Sequence, residues 1–410
     1  MTMESKTLGV GGSDAATQLA ALTDMTAGID DISLDELRAR VMKAQALMQE
    51  HGLAAIYVNA GTNLRYFTGT SWYASERMVG AIIPATGELE YIAPFFEVGT
   101  LEGYMQIQGK VNTWQEDESP YALAIAVLAR MGITQGNIGI DESTAFFMFD
   151  GLRQAATHYQ WRSATPVTAG CRMHKSPQEL AIMQRAKDMT LVVHKAAARI
   201  LRSGISTQEV EAFIHEAHKR VGAAAGSYFC IVLFGQDSSF PHGVSHPKCL
   251  DENEIVLIDT GCQLFGYKSD ITRTYVYGVA NERQRKMWAL EKAAQGAAFE
   301  AAILGAPCEQ ADAAARSVLE ASGMGPNYQL PGLPHRTGHG IGMDIHEWPY
   351  LVKGNKTPLA VGMCFSNEPM LVLPGEFGVR LEDHFYMTAN GPKWFTEPSH
   401  SIDDPFGYQA

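Results

Sequence analysis

Four carboxylates and one imidazole in the C-terminal half constrain this chain more than any other feature: Asp259, Asp270, His339, Glu368 and Glu382. They stand in five separate segments, VLIDTG, KSDITRT, TGHGIG, FSNEP and VRLEDH. A pair of divalent ions needs such a set, because two carboxylates can bridge both ions while the remaining groups fill one ion each. Ions held roughly 3.5–4 Å apart can activate a water between them and polarise a carbonyl. That is amide-hydrolysis chemistry, and it requires a fold that draws strands from distant parts of the sequence to one point.

The rest of the composition narrows the setting. At 410 residues the chain is long for one core, so two domains are expected. A formal charge of −13 leaves no basic stripe to neutralise phosphates, which argues against a nucleic-acid surface. No apolar run approaches the roughly 18 residues needed to span a bilayer, and the N-terminus lacks the basic-then-apolar pattern of a secretory signal. The cysteines at 171, 230, 249, 262, 308 and 364 show no CxxC pairing and read as reduced thiols of a cytoplasmic enzyme.

Along the chain, residues 1–32 are small, polar and rich in Gly and Ala, and read as a flexible or peripheral arm. Ser33 with Glu36 signals a capping box, and Gly52 closes the helix that follows. Strand-type runs at 53–58, 78–83 and 88–93, a helix near 121–131 and a strand at 137–141 give an alternating α/β domain over 33–168, ending in a strand-like stretch at 160–168. The second domain, 169–410, opens on two capping boxes, Ser176 with Glu179 and Ser206 with Glu209. Strands are expected at 254–259 and 272–277, with Asp259 ending the first and a hairpin bringing Asp270 to the same end of the sheet. Helices near 281–304 and 308–321 precede the final strands. The order of helix pair and ligand-bearing strands, twice over, suggests two similar halves around the metals.

The glycines beside His339 let backbone approach closely there. Glu368 and Glu382 sit in apolar surroundings, where an unpaired carboxylate is costly and a neighbouring cation removes the cost. From about residue 170 onward the segments FPHG (240–243), LIDTG (257–261), GYKSDITRT (266–274), LPHRTGHGIGMDIHE (333–347), MCFSNEPML (363–371) and GVRLED (378–383) resemble the pita-bread metallopeptidase family. That family includes methionine aminopeptidase, aminopeptidase P, prolidase and the metal-free creatinase. The first domain resembles the smaller domain of the aminopeptidase P, prolidase and creatinase branch. The resemblance implies an α/β fold with a pita-bread catalytic domain. It also implies Asp259 on one metal, His339 and Glu368 on the other, and Asp270 and Glu382 bridging.

The same resemblance implies roles for four further residues. His242 lies near substrate and metal, His335 lines the substrate pocket, and His346 meets the scissile group and its oxyanion. Arg380, two residues before Glu382 and so on the same strand face, holds that glutamate or meets a substrate carboxylate. Glu368 is implied as proton acceptor and donor. Oxygen ligands with one imidazole suit Mn²⁺, with Co²⁺, Fe²⁺ or Zn²⁺ as alternatives.

The retained ligands count against a creatinase, and the large first domain against a methionine aminopeptidase. The expectation is a Xaa-Pro dipeptidase acting on a small peptide with proline second. Alternatives are a Xaa-Pro aminopeptidase on longer peptides and a metal-dependent dimethylsulfoniopropionate lyase, for which Trp72, Tyr73 and Trp348 are candidate aromatics. A free substrate carboxylate would need a clamp, with Arg380 the first candidate and Arg65 or Arg77 as helpers. The family also implies a homodimer. The stretch FCIVLFGQDSSFPHG after Tyr228 departs from the usual pattern, being more apolar on its approach to His242.

Overall fold

The structure, a computed structural model, describes residues 6–409. They form two compact units, one of residues 32–172 and the other of the chain from 173 onward together with the N-terminal segment up to Asp31. Among the described residues no helix is long and apolar enough to cross a membrane. All six cysteines are free.

The smaller unit is a six-stranded mixed sheet in the order Lys110–Trp114, Glu90–Pro94, Gly80–Pro84, Leu53–Asn59, Gly136–Ile140, Tyr159–Ser163. Leu53–Asn59 is central and almost wholly buried, as its unbroken apolar run requires of a strand covered on both faces. Helix Leu34–Glu50 starts where Ser33 caps the Glu36 N–H, and Pro120–Arg130 starts at Ser119 with proline in its first turn. One expected boundary moves. The stretch at 160–168 is a strand only to Ser163; Thr165–Arg172 is helical, its first turn closing where Val167 and Thr168 donate back to the Ala164 carbonyl.

The larger unit follows the expected order. Helices Pro177–Arg199 and Thr207–Arg220 both carry the reciprocal Ser–Glu caps. Strands Ser227–Phe234, Glu254–Leu264 and Ile271–Tyr277 form an antiparallel sheet with Glu254–Leu264 in the middle. Helices Glu282–Ala301 and Glu309–Ala321 come next. A second sheet then orders Glu347–Leu351, Gly338–Gly340, Cys364–Asn367, Asp383–Thr388 and Gly391–Trp394, beside a hairpin of Met370–Leu373 and Phe377–Arg380. Of the apolar stretch after Tyr228, the part up to Phe234 belongs to the edge strand, paired antiparallel with Glu254–Leu264, and Gly235–Ser239 then form a 3-10 turn.

The N-terminal segment also departs from a flexible arm. The Thr7 N–H donates to the Gly278 carbonyl (2.9 Å), Leu8 to Asp403 (2.8 Å) and Gly11 to Ala198 (2.8 Å), while the Arg185 guanidinium takes the Met25 and Ala27 carbonyls. Helix Ala15–Ala21, capped by Asp14, lies within it. Backbone hydrogen bonds to its own chain fix a segment with few apolar side chains.

Candidate metal centre

Two sheets and one bridge between them assemble the centre. Asp259 lies within its strand, which continues to Leu264 and does not end at the aspartate as expected. The continuation depends on Gly261, where a Cβ would stand 1.8 Å from the Ser269 carbonyl oxygen. Asp259 pairs with Thr272 across the sheet, so Asp270, just before that strand, arrives beside it. Thr272 then bridges to Glu382 of the second sheet: the Glu382 N–H donates to the Thr272 carbonyl (3.1 Å), and the Thr272 hydroxyl donates to Glu382 Oε2 (2.9 Å).

His339 enters on a three-residue strand, Gly338–Gly340, squeezed between neighbours. A Cβ on Gly338 would lie 2.1 Å from the Ser366 carbonyl oxygen, and one on Gly340 2.5 Å from that of Glu347. The ring nitrogen Nδ1 is placed to donate to the Gly340 carbonyl (3.0 Å), which leaves the Nε2 lone pair available to a metal. Nε2 lies 3.0 Å from Glu368 Oε1 and 3.7 Å from Asp270 Oδ2. Ser366 accepts the His339 N–H (2.9 Å) and donates to Glu368 Oε1 (3.1 Å), tying two of the five residues to one hydroxyl.

Asp270, His339 and Glu382 each offer a ligand atom within 4.8 Å of the others, all buried. Oδ1 of Asp259 and Oδ1 of Asp270 are buried without a hydrogen-bond partner, a costly state for a carboxylate unless a cation supplies the missing contact. The residues therefore fit a divalent ion. Burial first, and the neighbouring carboxylates next, push Asp270 and Glu382 well above the ordinary carboxylate range; burial also raises Asp259, against the pull of Arg380. Burial works to raise Glu368 too, but the charge and hydrogen bond of His339, with His335 and Arg380, outweigh it and hold Glu368 below the usual range.

The four remaining residues fall in different places. Arg380 is almost wholly buried, and each arm of its guanidinium is engaged: Nη2 with Asp259 Oδ2 (2.5 Å), Nη1 with the Pro241 carbonyl (2.9 Å) and Nε with the Thr272 hydroxyl (3.1 Å). It touches Asp259 and not the Glu382 side chain two residues away. His346 packs its ring edge-on against His339, centroids 4.2 Å apart, and burial followed by the charge of His339 lowers its pKa to about 4. His335 Nδ1 donates to the Arg336 carbonyl (2.7 Å), and burial lowers its pKa despite the nearby Glu368. His242 is exposed at a cavity of about 130 Å³ walled by Ile231, Val232 and Leu233 of the edge strand. Arg77, a candidate helper, pairs with Glu116 and Glu76 within the smaller unit.

Sequence reasoning passed over the groups that hold the ligands. Arg273 donates to the Glu382 carbonyl (3.0 Å) and pairs with Asp383 (2.7 Å), both side chains fully buried; Thr396 and Gln295 complete the Asp383 shell. Asp312 accepts from the N–H and the hydroxyl of Thr337, two residues before His339. A charged residue next to a candidate ligand, as Asp383 is to Glu382, or within the buried strand that starts just after one, as Arg273 is after Asp270, was the available signal.

Residues 181–389 match the model of metallopeptidase family M24, and residues 40–174 match that of the creatinase/prolidase N-terminal domain. The dipeptidase PepE from Mycobacterium ulcerans has a similar structure, with TM-score 0.84 and 31% identity, covering 91% of this chain and 98% of that one. A prolidase from Thermococcus sibiricus gives TM-score 0.80 and 30% identity over 88% and 96% of the two chains. The Xaa-Pro dipeptidase of Pyrococcus horikoshii is 28% identical over 372 residues, 90% of this chain and all of that one.

Proposed function

The chain belongs to metallopeptidase family M24, and from that premise we propose that it is a two-metal Xaa-Pro dipeptidase, releasing proline from a small peptide that carries proline second. The observation that carries this reading is the buried group of Asp270, His339 and Glu382, with orphaned oxygens on Asp259 and Asp270 beside it. Asp259, Asp270, His339, Glu368 and Glu382 would hold the ions, Mn²⁺ being the proposed metal for a set of hard oxygens and one imidazole. When bound, such ions lower the pKa of a shared water and polarise the scissile carbonyl.

The chain's own residues supply the rest. Glu368, held ionised by His339, is placed to accept a proton from the attacking water and return it to the leaving nitrogen. His346, neutral at ordinary pH because its pKa is near 4, donates an N–H to the developing oxyanion. His242 and His335 line the substrate's approach. Arg380 neutralises Asp259, so it serves as a positioning residue and not as the carboxylate clamp. A prolyl nitrogen has no N–H, so the pocket need satisfy no donor there. The relatives named as dipeptidases and prolidases favour this substrate. We further propose a cytoplasmic location and a homodimer.

The test is Mn²⁺-supported hydrolysis of Ala-Pro against Ala-Pro-Ala, with Asp270→Asn as control. Cleavage of Ala-Pro, lost in the variant, is expected. Cleavage of the tripeptide instead would make the protein a Xaa-Pro aminopeptidase. Failure on both despite bound metal would sink the peptidase specificity and direct attention to the sulfonium lyase.

A further inference from the structure

Glu291 is a buried acid of the larger unit that the metal centre does not use. It lies midway along helix Glu282–Ala301 and is wholly buried. Neither of its carboxyl oxygens has a hydrogen-bond partner among the described residues. Burial pushes its pKa well above the ordinary carboxylate range. The core it enters is apolar: Met287 and Ala294 of the helix share one cluster with Met370, Val379 and Leu381. A leucine would fill such a place without stranding two oxygens, so the acid is kept there at a cost.

Its neighbours on the helix fix what it faces. Trp288, Glu291 and Gln295 share one side of the helix by their spacing. Trp288 Nε1 donates to the Thr274 carbonyl (2.8 Å), and Gln295 Nε2 donates to the Leu381 carbonyl (3.0 Å) and to Asp383 Oδ2 (3.1 Å). Arg380 stands between these two anchors, next to Leu381 in sequence and with its own carbonyl taken by the Thr274 hydroxyl (2.7 Å). Glu291, between Trp288 and Gln295, is thereby brought to Arg380, the only charge among the described residues that acts on it. A guanidinium carries five N–H donors. Asp259, the Pro241 carbonyl and the Thr272 hydroxyl take three, and the Met370 sulfur stands 3.8 Å from Nη1. One N–H, on Nη2 beside the bond to Asp259, is left over.

A divalent ion on the free oxygen of Asp259 would share that carboxylate with the guanidinium, setting two cations across one anion. We propose that Glu291 is a positioning residue, the second anion of Arg380, which takes the spare Nη2 N–H when a divalent ion shares Asp259. The Glu291 proton passes to water as this pair forms, so the new charge enters the core only with its partner. Arg380, balanced on its far side, then keeps its hold on the ligand it orients. This rests on the two-metal reading above.

The experiment titrates the full-length, chelator-stripped protein with Mn²⁺ against a chromophoric chelator. Glu291→Gln keeps the shape but cannot carry the charge, and is expected to weaken Mn²⁺ binding by about 10-fold, the low end for a group behind a metal ligand. Glu291→Leu should weaken binding as much while raising the thermal unfolding midpoint of the metal-free protein, because the stranded oxygens are gone. In an Arg380→Met background, Glu291→Gln should change Mn²⁺ affinity by less than about two-fold, since its effect passes through the guanidinium. Unchanged affinity in both single variants, or a loss that persists without Arg380, overturns the assignment and leaves the two-metal reading standing. A Glu291→Leu protein that loses affinity and unfolding midpoint together marks a packing role and also overturns it. Wild-type protein that binds no Mn²⁺ overturns the two-metal reading as well.

Discussion

Asp259 and Arg380, from two different sheets, form an ion pair of 2.5 Å in which both side chains are nearly wholly buried. Burial raises the pKa of Asp259, and the guanidinium opposes that rise. The pair leaves one Asp259 oxygen free of hydrogen bonds, the oxygen a metal would take.

Replacing Arg380 by Lys therefore acts on the metal site and not on substrate length. Activity is expected to fall by about 10- to 100-fold, the usual effect of disturbing a group that orients a ligand. The fall should be equal within two-fold for Ala-Pro and Ala-Pro-NH₂. A selective loss on the acid would make Arg380 a clamp after all.

Thr272 makes the same point with a neutral group. Its hydroxyl serves Glu382 at 2.9 Å and receives Arg380 Nε at 3.1 Å. Thr272→Val keeps shape and β-branching but removes both contacts. Metal affinity, followed by competition with a chromophoric chelator, is expected to weaken by about 10- to 100-fold with little change in the fold.

Arg273 and Asp383 carry structural weight. Truncating one partner of this fully buried pair strands the other charge, so Arg273→Met is expected to cost about 3–5 kcal/mol in denaturant unfolding. The double variant Arg273→Met with Asp383→Leu should recover part of that loss, and a double variant no better than the single would show that the Arg273 contacts to backbone carbonyls dominate.

Two buried histidines that are not metal-site residues contribute a definite share of the acid response. Burial lowers His194 and His218 to about 3, His218 lying between the hydroxyls of Thr190 and Ser227. In the unfolded chain both titrate near about 6.5. Between about pH 6.5 and 3 the unfolded state binds protons that the folded state refuses, so stability falls as pH drops through that window. Two protons give a slope of about 2.7 kcal/mol per pH unit. His218→Gln should halve this contribution, as read from unfolding midpoints across the window; an unchanged slope would place the titration elsewhere.

The sequence made the helix starts plain because caps are local: Ser176 with Glu179 and Ser206 with Glu209 need only three residues of context. Asp270, His339 and Glu382, which the structure brings together, stand out in the sequence because a carboxylate in an apolar strand needs a partner. What stayed hidden depends on register. That Asp259 sits within its strand follows from Gly261 passing the Ser269 carbonyl, a contact between two chain segments. That Arg380 faces Asp259 and not Glu382 follows from the Thr272–Glu382 bridge, which joins sheets whose strands are over a hundred residues apart in sequence. The apolar run after Tyr228 is readable as a strand only beside its partner, Glu254–Leu264, which lies beyond the window that periodicity can read.

The N-terminal segment closes the chain on itself in a way that bears on synthesis. Leu8 bonds to the backbone of Asp403, so it finds that partner only after the whole of the intervening chain has been made. At roughly 5–20 residues per second, a nascent chain would carry this segment undocked for roughly 20–80 s. The larger unit thus stays incomplete until Asp403 has been made, whereas the unit of residues 32–172 has all its strands in hand once Ser163 has.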